Sequence, residues 1–119
     1  MKKLPKAIGP YSSYRKQNFL LITSGQLPLN PETNNLVSDS FVEQIEQCFE
    51  NIVNILAQES MDFKNILKLT VYLTDLSNFS LVNKVFMEKF KEPFPARTVL
   101  EISKLPMNAQ VEIEAIAGY

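Results

Sequence analysis

Hydrophobic positions along the chain repeat with two different periods, and the switches between them set the expected order of elements. Residues 11–16 and 19–24 read as two short strands joined by a turn at Gln17-Asn18, and Gly25 ends the second. Residues 27–36 carry Pro28, Pro31 and Asn34-Asn35, the chemistry of a loop or hairpin. From Ser40 the period lengthens to that of a helix. Val42, Ile45, Phe49, Ile52 and Leu56 form one apolar stripe, with Glu43, Glu46, Gln47 and Glu50 opposite. Ser40 and Glu43 have capping-box spacing, and the helix should fade near Glu59-Ser60. Residues 66–73 return to alternation, with Leu67, Leu69, Val71 and Leu73 on one face and Lys68, Thr70 and Tyr72 on the other. Asp75 or Ser77 then caps a second helix reaching about Lys91, with Phe79, Val82, Phe86 and Phe90 as its stripe. Pro93 and Pro95 break that helix and lead into a strand from Arg97; a last strand spans 109–117. Residues 1–10, punctuated by Pro5 and Gly9-Pro10, read as an irregular arm.

Strand, strand, helix, strand, helix, strand, strand predicts an α+β fold. The expected form is a two-layer sandwich, a mixed sheet with two helices on one face, built as a single domain over 1–119. Two helices leave the other sheet face bare. Alternation separates Thr98, Leu100 and Ile102 from Arg97, Val99 and Glu101, and Val111, Ile113 and Ala115 from Glu112, Glu114 and Ile116. Phe19, Leu20, Leu21 and Ile22 are apolar on both faces. A bare face holding Val99, Ile116 and one side of that run would leave much hydrocarbon in water. Self-association is the expected remedy, with Arg97 and Glu112 near the interface.

Composition narrows the chemistry. Hydrophobic residues are 45% and charged residues 21% of the 119, ordinary for a soluble globular protein. The net charge of −1 gives no general pull toward nucleic acid or anionic lipid. Charge is nonetheless uneven: Lys2, Lys3, Lys6, Arg15 and Lys16 form a basic start, whereas 17–63 holds seven acids and no base. We read these as two solvated faces. Cys48, the one cysteine, allows no internal disulfide and reads as structural filler. No apolar run reaches membrane-spanning length and no secretory signal is visible, so a cytoplasmic protein is expected. With no histidine, Ser-His-Asp and Cys-His catalysis and the usual zinc sites are excluded. Gly9, Gly25 and Gly118 are too scattered for a phosphate-binding loop. Any catalysis falls to Arg, Glu, Asn, Ser, Tyr, backbone groups and water.

Against that background two charges stand out. Arg97 and Glu112 each lie inside an apolar strand, where charges are rare unless paired or functional. A guanidinium fork is well shaped to grip a small carboxylate, which suggests a site for a small anion. An ion pair of Arg97 with Glu101, Glu112 or Glu114 across strands is the structural alternative, and the residues alone leave both open.

Five segments in register resemble the Rid family (RidA/YjgF), the reactive-intermediate deaminases. They are residues 7–12 (AIGPYS), 23–28 (TSGQLP), 68–73 (KLTVYL) with Asp75, Val82 and Asn83, then 94–97 (FPAR) and 111–117 (VEIEAIA). The resemblance covers nearly the whole chain. It implies a chorismate-mutase-like homotrimer with clefts between subunits. The implied activity is hydrolysis of enamines and imines such as 2-aminoacrylate to 2-keto acids and ammonia, with no cofactor. By position, Arg97 would hold the substrate carboxylate and Glu112 would position or activate water. Tyr11, Ser24, Gly25 and Asn83 would line or support the cleft. Val99 stands where many members have cysteine, which removes thiol chemistry and leaves an arginine-and-water mechanism intact. The expected partners are a small imino or enamino acid and copies of the chain itself; neither a membrane nor nucleic acid is expected. A translation-inhibiting endoribonuclease or a non-catalytic sensor of small acids is the alternative function. The sensor would use the same pocket; the acidic stretch 17–63 argues against the nuclease.

Overall fold

Period-two segments pair into one five-stranded sheet, and the two helical segments pack on one of its faces. The computed structural model describes residues 3–119, so Lys2 of the basic start lies outside the described residues. The strands are β1 (Tyr14–Gln17), β2 (Leu20–Thr23), β3 (Ile66–Leu73), β4 (Ala96–Glu101) and β5 (Val111–Gly118). Helix α1 (Phe41–Ala57) connects β2 to β3, and α2 (Phe79–Lys89) connects β3 to β4. The sheet order is β1-β2-β5-β3-β4. Only the β3–β4 pair is parallel, as a helical crossover between them requires. The sheet is therefore mixed, with β1 and β4 at its edges. Among the described residues no helix is long and apolar enough to cross a membrane.

One cluster of buried side chains fills the space between sheet and helices. The sheet contributes Leu21, Leu69, Val71, Leu73, Val111, Ile113, Ala115 and Ala117 from its helix-facing side. Phe49 of α1 is the hub. Its ring lies edge-on to Phe63, Phe86 and Phe90 at centroid distances of 6.0, 5.7 and 6.0 Å, tying α1 to α2. Buried amides on α1 hold the irregular segments in place. Asn51 Nδ2 donates to the Leu27 and Leu29 carbonyls, and Gln44 donates to the Ser38 carbonyl while accepting from the Gln110 amide. Each is fully buried polar surface that stays satisfied, which is the condition for tolerating it.

Several expectations are refined by packing. Val42 is exposed; the buried face of α1 instead includes Phe41, Gln44, Cys48 and Ile55. Ser40 caps α1 by accepting from the Glu43 amide, but Glu43 returns its carboxylate to the Ser38 hydroxyl, so the capping box is only half formed. A register shift between Ile66 and Lys68 gives Ile66 the core position and turns Leu67 outward. Asp75 caps a short 3-10 turn, Leu76–Asn78, and α2 begins only after it. Val99 faces the helices and packs against the core, not the bare face. The bare face is as apolar as expected without it: Leu20, Ile22, Leu100 and Ile116 are all exposed there.

Removing the hub ring opens a cavity between the two layers. We expect Phe49→Ala to cost about 3–5 kcal/mol of unfolding free energy, read from urea or thermal denaturation.

Candidate functional site

The pleat sorts the predicted site residues into two groups on opposite faces of the sheet. Arg97 stands opposite Leu69 of β3, which stands opposite Ala115 of β5; both partners are core residues, so Arg97 faces the helix layer. Its guanidinium lies over the rings of Phe86 and Phe79 of α2, 4.9 and 5.3 Å from their centroids. It donates from Nη1 to Asn83 Oδ1 at 2.7 Å. Aromatic faces attract the charge without occupying its donors. Asn83 takes one of five, and the fork keeps an edge for a ligand. Among the described residues no carboxylate lies within ion-pair distance of Arg97; the ion pairs are Lys16–Glu59 and Lys89–Glu46. The ion pair within the chain is thereby overturned: Glu101 accepts from the Leu76 amide, and Glu112 and Glu114 lie on the opposite face of the sheet. Asn83, Phe86, Met87, Phe94, Pro95 and Arg97 line an open cleft of about 400 Å³.

Glu112 belongs to the other face. It stands opposite Tyr72, which stands opposite Leu100 of β4. A bulge in the neighbouring chain segment shapes its surroundings. Ile22 pairs with Ile116 and Gln26 with Ile113, so one extra residue is accommodated between those pairs at Thr23-Ser24-Gly25. Thr23 Oγ1 accepts the Ala115 amide and compensates the lost ladder bond. Gly25 then lies directly against the Glu112 side chain: a Cβ there would sit 2.7 Å from Glu112 Cδ. Glycine at this position is thus a matter of space. Ser24 Oγ donates to the Ser12 carbonyl at 2.6 Å, and its amide to the Ser13 carbonyl at 2.9 Å. Tyr11, whose hydroxyl accepts the Ile8 amide, shares a shallow cleft with Ser12, Ile22 and Ser24. Tyr11, Ser24, Gly25 and Glu112 therefore cluster, and Arg97 with Asn83 stands apart from them.

Burial raises the pKa of the Glu112 carboxyl above the usual glutamate value, and the nearby Glu114 charge adds to the rise. Tyr72, whose phenol donates to Glu114, is pushed up to about 12. Cys48 is wholly buried and its thiol is raised well above the ordinary range by burial, in keeping with a packing role. Among the described residues no group of three His, Cys, Asp or Glu side chains converges as a metal site. Sequence reasoning missed the rings beneath Arg97: Phe79 and Phe86 read only as a helical core stripe. It also passed over Tyr72 and Glu114 as a bonded pair.

Comparisons with known proteins bear on this geometry. A family model described as "Endoribonuclease L-PSP" matches residues 1–119. The "2-iminobutanoate/2-iminopropanoate deaminase" of Capra hircus is 43% identical over 115 residues, covering 97% of this chain and 84% of that protein. "Reactive Intermediate Deaminase A, chloroplastic" of Arabidopsis thaliana is 42% identical over 116 residues, and the chain spans 98% of its own length but 62% of the plant protein's. Among solved structures, "RidA from Antarctic bacterium Psychrobacter sp. PAMC 21119" superposes with a TM-score of 0.94 at 40% identity, covering 98% of this chain and 94% of that one.

A carboxyl whose pKa is raised by folding binds its proton more tightly in the native state. Stability therefore falls as pH rises from the ordinary glutamate range through the raised value, and the penalty persists above it. We expect Glu112→Gln to raise the melting temperature at neutral pH by on the order of 2 °C. The gain should vanish at pH below the ordinary glutamate range, as checked by thermal scans across pH.

Proposed function

The chain belongs to the Rid family, and from that premise we propose that it hydrolyses reactive 2-imino acids, and the enamines that tautomerise to them, to 2-keto acids and ammonia. The observation that carries this reading is a half-buried arginine with no carboxylate partner among the described residues, held on aromatic faces with its fork open to a cleft. Such a group supplies a bidentate seat for a substrate carboxylate. The imine carbon is already electrophilic, so the remaining need is orientation and a water. Glu112 takes a proton from that water as it attacks. The new C–O bond gives a carbinolamine. The C–N bond then breaks once nitrogen is protonated, releasing ammonia and the keto acid. General-base assistance of this kind is worth about 10²–10⁴ in rate. A carboxylate with a raised pKa serves near neutral pH, and histidine is not required.

One chain cannot bring Arg97 and Glu112 to one substrate. They face opposite sides of the sheet, two strands apart, and sit three residues, or roughly 10 Å, out of step along it. We propose that the site forms between copies, the Arg97 half from one and the Tyr11, Ser24, Gly25 and Glu112 half from the next. Two unlike halves on each chain make a head-to-tail contact, which closes as a ring, here a homotrimer. The bare apolar face supports this reading, because assembly would cover it. An endoribonuclease has weaker support. Glu112 and Glu114 side by side would repel a phosphodiester, and the net charge is −1.

With 2-aminoacrylate generated by a serine dehydratase, the protein should accelerate pyruvate release, and Arg97→Ala should lose roughly a hundredfold or more in kcat/KM. No acceleration by the wild type, or full activity in the variant, rejects the assignment. Refolding Arg97→Ala together with Glu112→Gln, each inactive alone, should restore about a quarter of the sites, because random mixing joins the two intact halves that often. Absence of recovery in a mixed assembly would show that the halves do not meet between copies.

A further inference from the structure

Tyr72 and Glu114 have no part in the mechanism above, yet they form a hydrogen-bonded pair beside Glu112 on the same sheet face. Tyr72 is the direct cross-strand partner of Glu112, and Glu114 shares the Glu112 face two residues along β5. Side chains so placed are within reach of one another. Two neighbouring carboxylates on a part-buried sheet face repel, and each would ordinarily swing apart toward water. Glu114 does not swing: the Tyr72 hydroxyl, coming diagonally from β3, donates to its Oε1. Glu112 does not swing either, because Gly25 of the bulge closes over its side chain.

We propose that Tyr72 and Glu114 are positioning residues for Glu112, the phenol pinning the Glu114 anion on the sheet so that this fixed charge holds Glu112 as the proton acceptor of the site. This rests on the assignment of Glu112 as general base. The division of roles follows from the bonds. Glu114 has one oxygen engaged by the Tyr72 hydroxyl. Glu112 has no such donor among the described residues and keeps its lone pairs for water. Burial and the Glu114 charge both act on Glu112 in the direction of tighter proton binding. The other ionisable groups about it are Tyr72 itself, Tyr11 and Arg15 of the adjoining cleft and, through the sheet from α1, the buried Cys48. Leu100 of β4 and the Ser24-Gly25 bulge contribute no charge. Tyr72 remains a donor at every pH at which the protein would work, since its phenol titrates only at about 12.

The experiment is a carboxyl-carbon NMR titration of Glu112 in the assembled protein, run beside the pH profile of imine hydrolysis. Glu114→Gln keeps an oxygen for the phenol and removes only the charge. The Glu112 midpoint should move to lower pH, and the acidic limb of kcat/KM should follow it, with kcat at neutral pH falling roughly three- to tenfold and KM nearly unchanged. Tyr72→Phe leaves the charge but releases it toward water, so the midpoint should move in the same direction by less. A Glu112 midpoint unmoved in both variants overturns the proposal, and Tyr72→Phe alone decides it if Glu114→Gln does not fold. The titration needs no substrate. A wild type that hydrolyses no imine would therefore refute the proposed function while the NMR midpoints still judge the pair.

Discussion

Successive residues of a β-strand point to opposite faces of its sheet, and the placement of charge in this protein depends on that one constraint. Arg97 shares a cross-strand row with Leu69 and Ala115, and Glu112 shares one with Tyr72 and Leu100. The first row faces the helices and the second faces away. No rotamer change carries a side chain through a hydrogen-bonded sheet, so the two groups are as separate as if they lay on different domains. Any chemistry that needs both must recruit a second copy. Assembly in this reading is a condition of catalysis, beyond its service in covering Leu20, Ile22, Leu100 and Ile116.

Each half-site carries a cost that the isolated chain does not recover. Arg97 is half-buried with an amide and two rings for company, where a carboxylate would satisfy it better. Glu112 is partly desolvated beside a second carboxylate. Stability alone would favour pairing the arginine with one of the acids. Glu101 is instead engaged by the Leu76 amide, and Glu112 and Glu114 lie on the opposite face of the sheet, so the fork is left for a ligand. Unspent charge held rigid is the pattern expected of a binding site, where local stability is traded for function.

Much of the fold was legible because it is written in periodicity. The long strand Ile66–Leu73, both helices and the order of elements follow from spacing alone. What escaped is what depends on partners far along the chain. Leu67 continues a perfect alternation, but a register shift against β5 turns it out. Val42 continues the α1 stripe, yet it lies at the helix start, outside the core. Val99 reads by alternation as able to lie on either face, and only its register opposite Val71 of β3 turns it toward the helices. For the site, Arg97 and Glu112 announced themselves as charges in apolar runs. Their separation did not, because it needs the pairing of β3 with both β4 and β5. The rings under Arg97 were hidden in the same way: a phenylalanine that packs a core and one that supports a cation look alike in a helical stripe.

The segment at Ser24-Gly25 shows how a local irregularity converts fold into site. A regular β2–β5 ladder would run to the end of β2 and place a side chain beside Glu112. One extra residue breaks the ladder, Thr23 repairs the broken bond with its hydroxyl, and glycine brings bare backbone against the carboxylate. Removing the bulge would restore a hydrogen bond and shift every later side chain of that segment to the opposite face. Ser24 and Tyr11, linked through the Ser12 and Ser13 carbonyls and the cleft they share, would then leave Glu112. The proposed Glu112 half-site is thus held together by an interruption in the sheet, and its geometry follows from where the ladder stops and restarts.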